Sequence, residues 1–369
     1  MWKTAEGSTG RLIQFCIGYF IFYVITGITV KYFTGQAELG FPGMRDTEFL
    51  VYSTFGGSLI CLLVVFARGW HRTTTESRTE FLGVKFPHAF VYILPSGICT
   101  AVVIPTTTMM YMLPISVMVA MVMMRASVIV ISRAVDAIQI SQGILHKKVY
   151  AQENIGVVFA LGAAGTQLYF VKPGDFDFVH SPVAMGILGS YITAYSFRIY
   201  IMNYYKNTRT ATHTYNNQWY FGIEQIAATV AMVGVALPVF FAPELFGWHH
   251  EQIDLLRGAV IHPQPAWLSA ILAGTAYGFV AFFSVFIFMF KGRTATFAGL
   301  VNRLTSLTAG TAATLLLALI FGGKYPKTQD WISFLFILIA VAFLTVAEKR
   351  RVAELLATNE LTSSPNPSK

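Results

Sequence analysis

Residues 294–321 read TATFAGLVNRLTSLTAGTAATLLLALIF and carry one charged side chain, Arg303. The stretch is long enough to cross a bilayer as an α-helix, which takes about 20 predominantly apolar residues. An arginine near the centre of a bilayer costs about 2.5–3.5 kcal/mol or more, so it is retained only for a specific role. Gly299-Leu300-Val301-Asn302-Arg303 therefore predicts a membrane-spanning helix with a functional cation.

The whole chain has the composition of a membrane protein. Of its 369 residues, 55% are hydrophobic and 12% are charged, whereas about 25% of a soluble domain is charged. The formal net charge is +8, but Lys and Arg lie between apolar blocks and form no single basic face, so we expect no nucleic-acid partner. The three cysteines lie singly in apolar runs, and His249 and His250 lack the spacing of a helical metal site, so we expect no metal and no cofactor.

Ten segments are apolar and long enough to span a bilayer. They cover residues 11–33, 48–67, 88–110, 113–134, 154–171, 182–205, 217–241, 267–290, 294–321 and 330–348. The sequence thus predicts an all-α polytopic membrane protein with ten transmembrane helices. The Ser- and Pro-rich residues 357–369 are expected to form a disordered cytoplasmic tail.

The distribution of Lys and Arg predicts the orientation. The side that holds both termini carries 17 of them and the other side carries 6, while Arg125, Arg198 and Arg303 lie within helices. By the positive-inside rule both termini are cytoplasmic. We expect a multi-pass integral protein of a bacterial inner membrane or a eukaryotic endomembrane.

An internal repeat follows from self-similarity at a nearly constant offset. A shift of 178 residues lays Arg125-Ala126-Ser127 onto Arg303-Leu304-Thr305. Residues 1–171 and 182–351 then hold five helices each. Because five is odd, the second repeat enters the membrane from the opposite side, an inverted topology that places a site near the midplane. Neither repeat is expected to fold alone.

The repeat makes Arg125 and Arg303 equivalent positions that both reach the middle of the bundle. Glu224 is the only acidic residue well inside a predicted helix, so two arginines face one carboxylate and an anionic small-molecule substrate is favoured. The alternative is that the arginines pair with Glu224 or with helix-end carbonyls and only hold the bundle together. Arg198 is expected to extend toward the cytoplasmic surface, and Glu224 is also a candidate proton-coupling group.

Polar and aromatic side chains in several helices are candidates for the rest of the site. They are Thr26, Ser96, Thr100, Tyr191, Tyr195, Tyr277 and Asn302. For most of them the alternative is hydrogen bonding between helices. The fifth and tenth helices have few central polar groups, so they are expected to be peripheral in the bilayer or to form a homodimer contact.

The ten-helix plan with cytoplasmic termini resembles the drug/metabolite transporter superfamily. Within it, Tyr215-Asn216-Asn217 is similar to the F-Y-N-N motif of nucleotide-sugar transporters, and Gly299–Arg303 is similar to their G-A-L-N-K motif. The resemblance implies that these segments bind the nucleotide, sugar and phosphate parts of a substrate. Arg125 and Arg303 likewise resemble the basic residues that sugar-phosphate translocators place on the fourth and ninth helices. Thr214 stands in place of Phe, Leu300-Val301 in place of Ala-Leu and Arg303 in place of Lys.

These features predict a secondary transporter for a small anionic, phosphorylated metabolite such as a nucleotide-sugar or a sugar phosphate. Three alternatives stay open. They are a proton-coupled transporter of cationic or zwitterionic molecules that uses Glu224, a flippase of a lipid-linked sugar phosphate, and an integral-membrane transferase. The sequence has no G-x-x-x-x-G-K-[ST] motif for ATP hydrolysis and no evident nucleophile beside its histidines, so we do not expect an enzyme.

Overall fold

The computed structural model describes residues 9–72, 78–81, 83–145, 149–169, 176–208, 217–290, 295–323 and 325–363. In these residues it contains twelve α-helices and one two-stranded sheet. The helices are α1 Thr9–Phe33, α2 Asp46–Ala67, α3 Phe90–Met112, α4 Val117–Ser141, α5 Ala151–Tyr169, α6 Pro182–Thr208, α7 Asn217–Phe240, α8 Ala242–Phe246, α9 Glu251–Ile261, α10 Trp267–Phe288, α11 Ala295–Phe321 and α12 Thr328–Ser363.

Eight helices are long and apolar enough to cross a membrane, namely α1, α2, α3, α4, α7, α10, α11 and α12. The all-α polytopic architecture predicted from the sequence is therefore confirmed. The other two predicted segments correspond to α5 and α6, which are not among the eight. Arg198 and Asn203 lower the mean hydropathy of α6, and both are buried inside the bundle.

Short elements occur where only loops were expected. Strands β1 (Arg78–Phe81) and β2 (Val84–Pro87) form an antiparallel hairpin between α2 and α3. Gly83 provides its turn with a φ of 79°, a left-handed conformation that glycine adopts without steric cost. We call this end of the bundle, where α1 begins, the inner end, and the opposite end the outer end.

The outer connection between α7 and α10 is largely helical. His250 caps α9, because its Nδ1 accepts a hydrogen bond of 3.3 Å from the backbone amide of Gln252. Arg257 of α9 forms an ion pair with Glu244 of α8 and thereby holds the pKa of that carboxyl below its usual value. The two histidines thus lie in a capped helical corner, where His250 has a structural role.

The last helix is longer than its predicted segment. α12 continues as a helix to Ser363, so the prediction of a disordered tail is wrong for residues 357–363. Residues 348–357 are mostly Glu, Lys, Arg, Ala and Leu, which favour helix. Tyr150 also donates a 2.7 Å hydrogen bond to Oε2 of Glu354 and so ties the extension to the start of α5. Residues 364–369 lie outside the described part of the chain.

Helices that are distant in sequence pack in pairs. α2 packs along α10, α3 along α7, α4 along α11 and α5 along α12. α1 lies against α10 and α11, and α6 lies against α3 and α4. These pairs surround the middle of the bundle, where the charged side chains of α4, α6 and α7 are buried.

Glycines allow the closest of these contacts. A Cβ atom at Gly274 of α10 would overlap the backbone of Ser53 in α2, and one at Gly56 would overlap the backbone of Ile271. Such small residues let two helix backbones approach in a bilayer, where no hydrophobic effect drives association. In the contact between α3 and α7, a Cβ at Gly97 would lie 2.9 Å from the carbonyl oxygen of Glu224.

We expect Gly274→Ala to destabilise the protein by about 1–3 kcal/mol, because the added methyl group forces α2 and α10 apart. The matched control is Gly186→Ala in α6, where a Cβ meets no atom within 4 Å and alanine favours helix. Thermal unfolding of both variants in detergent measures the difference. Equal melting temperatures for the two variants would contradict the close packing of α2 on α10.

Candidate functional site

A small cavity lies in the middle of the bundle between α1, α3, α4, α6 and α10, with a volume of about 40 Å³. Its walls are mainly tyrosine rings, threonine hydroxyls and two arginines. The polar lining residues are Tyr19, Tyr23, Thr100, Thr107, Arg125, Tyr191, Tyr195, Arg198, Tyr277 and Ser284. Sites for drug-sized ligands have volumes of about 300–1,000 Å³, so this cavity is much smaller than such a site.

Arg125 is the cation of the cavity wall and is only 2% exposed. Its Nη2 donates a hydrogen bond of 2.5 Å to the hydroxyl of Tyr23, and its guanidinium carbon lies 5.4 Å from the centre of that ring. Within the described residues, its Nε has no hydrogen-bond partner and no carboxylate lies within 4 Å of its guanidinium. A guanidinium only donates hydrogen bonds, so Arg125 offers unused donors to an acceptor in the cavity.

Tyrosine hydroxyls extend this polar surface. The hydroxyl of Tyr191 is buried in the cavity wall and has no hydrogen-bond partner among the described residues. Tyr195 lies beside it, with ring centres 5.1 Å apart. The predicted candidates Tyr195 and Tyr277 thus line the cavity together with Arg125. Tyr19 and Tyr23 were not predicted as site residues from the sequence, although their spacing of one helical turn indicates that they share one face of α1.

Glu224 is fully buried and bound by α6 and α3. Arg198 donates to it through Nε and Nη2 at 2.9 and 3.1 Å, a bidentate ion pair. Ser96 and Thr100 donate to Oε1 at 2.7 and 3.0 Å. Arg198 therefore does not extend to the surface as expected, because a buried carboxylate lies within its reach.

This arrangement excludes one pairing that the sequence left open. Glu224 pairs with neither Arg125 nor Arg303, because its oxygens are held by Arg198, Ser96 and Thr100. The predicted candidate Ser96 is thus part of the shell around Glu224, and Tyr220 donates to its hydroxyl at 2.8 Å.

Arg303 is 1% exposed but lies outside the lining of the cavity. Its Nη2 donates to the hydroxyl of Ser132 in α4, and its Nε has no hydrogen-bond partner in the part of the chain that the structure describes. Side chains on a helix point back toward its N-terminus, which for α11 is the inner end. The guanidinium accordingly folds over Gly299, where a Cβ would lie 2.9 Å from Nη2. Gly299 therefore makes room for the arginine.

Asn302 joins three helices directly beside the cavity. It accepts a 3.2 Å hydrogen bond from the hydroxyl of Tyr19 on α1 and donates one of 3.2 Å to Ser284 on α10. Both partners line the cavity, so Asn302 positions part of its wall. The predicted candidate Thr26 instead donates to the carbonyl of Phe22 in its own helix, at 2.8 Å, and lies outside the lining.

The motif at the start of α7 falls mostly outside the described residues. Tyr215 and Asn216 lie in the undescribed range 209–216, and Asn217 is described only as the first residue of α7. Their roles stay as the sequence predicts them.

A second buried carboxylate was missed from the sequence. Asp136 is 1% exposed on α4, one turn beyond Ser132 on the same face, and accepts from Nδ2 of Asn203 at 3.5 Å. The predicted helix ended at residue 134, whereas α4 continues to Ser141. The described residues also bury the carboxylates of Glu48, Glu153 and Asp330, each in the first turn of its helix, so the buried arginines Arg125, Arg198 and Arg303 do not outnumber the buried carboxylates.

Comparisons with known proteins bear on the fold alone. No family model and no curated protein sequence matches the chain. A solved structure described as "Crystal structure of protein" is similar over 93% of this chain and 100% of its own, with a TM-score of 0.52 and 14% sequence identity. A similar arrangement of helices therefore occurs in another protein. The sequence identity of 14% is too low to indicate a substrate.

We expect Glu224→Gln to destabilise the protein by about 3–5 kcal/mol, because it leaves Arg198 buried without its counter-ion. The double variant Arg198→Met/Glu224→Met removes both charges and is expected to recover much of that loss. Melting temperatures of both variants and the wild type test the pair. A double variant no more stable than Glu224→Gln would show that the two side chains are not coupled.

Proposed function

We propose that the protein is a secondary membrane transporter that works by alternating access on a small anionic, phosphorylated metabolite, such as a nucleotide-sugar or a sugar phosphate. The observation that carries the proposal is Arg125, a buried cation without a described carboxylate partner in the wall of a central cavity. Phosphate and carboxylate oxygens match the planar fork of a guanidinium.

The charge balance around the cavity supports an anion over a cation. Arg198 and Glu224 neutralise each other, so the charge left at the cavity wall is that of Arg125. A low-dielectric interior strengthens the attraction of this charge for an anion and the repulsion of a cation. The tyrosine faces and hydroxyls suit the rings and hydroxyl groups of a sugar or nucleoside.

The packing of the helices supports two inverted repeats, residues 1–171 and 182–351. In such repeats α1 corresponds to α6, α2 to α7, α3 to α10, α4 to α11 and α5 to α12. Exchanging the corresponding helices turns the packed pair α2–α10 into α7–α3, and the pair α1–α10 into α6–α3. The same exchange maps α4–α11 and α5–α12 onto themselves. Arg125 and Arg303 then lie on the two helices that pack across the symmetry axis, where inverted-repeat transporters place their sites.

The orientation follows from the positive-inside rule, so we place the inner end and both termini in the cytoplasm. The cavity of about 40 Å³ holds little more than water, so substrate binding requires the two repeats to separate. Rocking of one repeat against the other around Arg125 provides alternate openings to the two sides. The proposal agrees with the resemblance of Gly299–Arg303 to the motif of nucleotide-sugar transporters.

The rival of proton-coupled cation transport is less well supported. Glu224 is bound by Arg198, Ser96 and Thr100 and lies outside the lining of the cavity, so these contacts keep it away from a substrate there. The same contacts disfavour a transferase, because Glu224 is held too firmly to act as a general base at the cavity.

Arg125→Gln is expected to lower uptake of the transported anion into liposomes about 10- to 100-fold, the cost of losing a hydrogen bond to a charged group. Radiolabelled nucleotide-sugars and sugar phosphates are the substrates, with and without unlabelled substrate inside. The matched control is Arg133→Gln on the same helix, whose Nε donates to Asn154 away from the cavity.

Uptake that is unchanged by Arg125→Gln would contradict the anion site. Uptake of organic amines that depends on a pH gradient would favour the proton-coupled alternative. Movement of a lipid-linked sugar phosphate without flux of soluble phosphates would favour the flippase.

A further inference from the structure

Two polar groups in the wall of the central cavity have no hydrogen-bond partner among the described residues, the Nε of Arg125 and the hydroxyl of Tyr191. Both side chains are almost fully buried, at 2% and 1% exposure. A buried donor without a partner costs free energy, so such a group needs an explanation. A phenylalanine in place of Tyr191 fills the same space without that cost. The hydroxyl therefore points to a partner that enters the cavity.

The tyrosine hydroxyls that α1 contributes to the cavity differ from that of Tyr191, because they bind other side chains. Tyr19 donates to Asn302 at 3.2 Å, and Tyr23 accepts from Arg125 at 2.5 Å. These two hydrogen bonds connect α1 to α11 and to α4 and hold the cavity wall in place. The hydroxyl of Tyr191 has no such bond within the described part of the chain.

Packing along α6 fixes the ring of Tyr191. Tyr191, Tyr195 and Arg198 follow one another at spacings of four and three residues, so they share one face of the helix, and all three line the cavity. The rings of Tyr191 and Tyr195 have centres 5.1 Å apart, and the guanidinium carbon of Arg198 lies 6.0 Å from the centre of the Tyr195 ring. Arg198 is itself held by Glu224. The hydroxyl of Tyr191 is thus positioned before a ligand arrives, as a specific site requires.

Arg125 and Tyr191 border the same small space. The cavity volume of about 40 Å³ is little more than the roughly 30 Å³ that one water molecule occupies in the liquid. The helices that carry the two residues, α4 and α6, pack directly against each other. Of the charged side chains around Tyr191, Arg125 has the strongest electrostatic effect on it. One polar group that enters this space therefore meets both donors.

We propose that Tyr191 is a substrate-binding residue, whose hydroxyl donates to an oxygen of the same phosphate group that Arg125 binds through Nε. This role rests on the proposed function and adds a second binding residue to it. A phosphate group has three strong acceptor oxygens that point in different directions, so it accepts from donors on two helices at once. A tyrosine hydroxyl adds a donor without adding charge. Because Arg125 and Tyr191 belong to different proposed repeats, the phosphate is bound by both of them.

The first test is Tyr191→Phe in the purified full-length protein, with inorganic phosphate, glucose 1-phosphate and UDP-glucose as probes. The Kd comes from the rise of the melting temperature with probe concentration. We expect Tyr191→Phe to raise the Kd of each bound probe about tenfold, the loss of one hydrogen bond to a charged group. The matched control Tyr200→Phe on the same helix loses its hydrogen bond to Gln142, away from the cavity, and is expected to keep the wild-type Kd.

The melting temperature without a probe separates binding from structure. Tyr191→Phe removes a hydroxyl that has no described partner, so the melting temperature is expected to equal or exceed that of the wild type. A lower melting temperature together with an unchanged Kd would show that the hydroxyl has a structural role. It would overturn the proposal, as would an unchanged Kd alone, since the hydroxyl would then bind only water.

A double-mutant cycle tests whether the two residues bind one phosphate group. We expect the rise in Kd of Arg125→Gln/Tyr191→Phe to be smaller than the product of the rises in the two single variants, because both changes act on the same group. Rises that multiply would overturn the shared site. Loss of binding in Arg125→Gln with an unchanged Kd in Tyr191→Phe would overturn this inference and leave the proposed function standing. Failure of the wild type to bind any of the three probes, or binding unaffected by Arg125→Gln, would overturn both.

Discussion

Arg198 and Glu224 form a bidentate ion pair in the middle of the bundle, at 2.9 and 3.1 Å, and the electrostatics of the cavity depend on it. Because the pair is internally neutral and further held by Ser96 and Thr100, Glu224 is not available as a partner for Arg125. A buried ion pair adds little net stability, since desolvation of the two ions offsets much of their attraction. Its consequence here is that the guanidinium of Arg125, in the cavity wall, has no described carboxylate as a counter-ion.

The eight apolar helices and the burial of Arg125 and Arg303 could be predicted from the sequence, because apolar length and a charge inside an apolar run are local properties of a segment. The partners of the charges could not. Arg198 of α6 forms an ion pair with Glu224 of α7, and Arg303 of α11 donates a hydrogen bond to Ser132 of α4. The pattern of residues within one helix does not indicate such contacts between helices. The helical outer corner of α8 and α9 was missed for a related reason, since it depends on packing against α2, where Tyr52 donates to the carbonyl of Ala259 at 2.9 Å.

Gly299 and Asn302 belong to the same short motif but have different structural roles. Gly299 leaves space for the folded guanidinium of Arg303, while Asn302 connects α11 to Tyr19 and Ser284 at the cavity wall. Arg303 itself lies outside the lining of the cavity. Of the two arginines that the proposed repeat makes equivalent, Arg125 is thus the one in position to contact a molecule in the cavity.

The central claim is that the cavity selects anions through Arg125. A thermal-shift screen of the purified protein against nucleotide-sugars, sugar phosphates, nucleotides and organic amines tests it most directly, because a ligand that binds only the folded state raises the melting temperature. The account predicts that one or more of the phosphorylated compounds stabilise the wild type and lose this effect in Arg125→Gln. Stabilisation by amines and by no phosphorylated compound would contradict it.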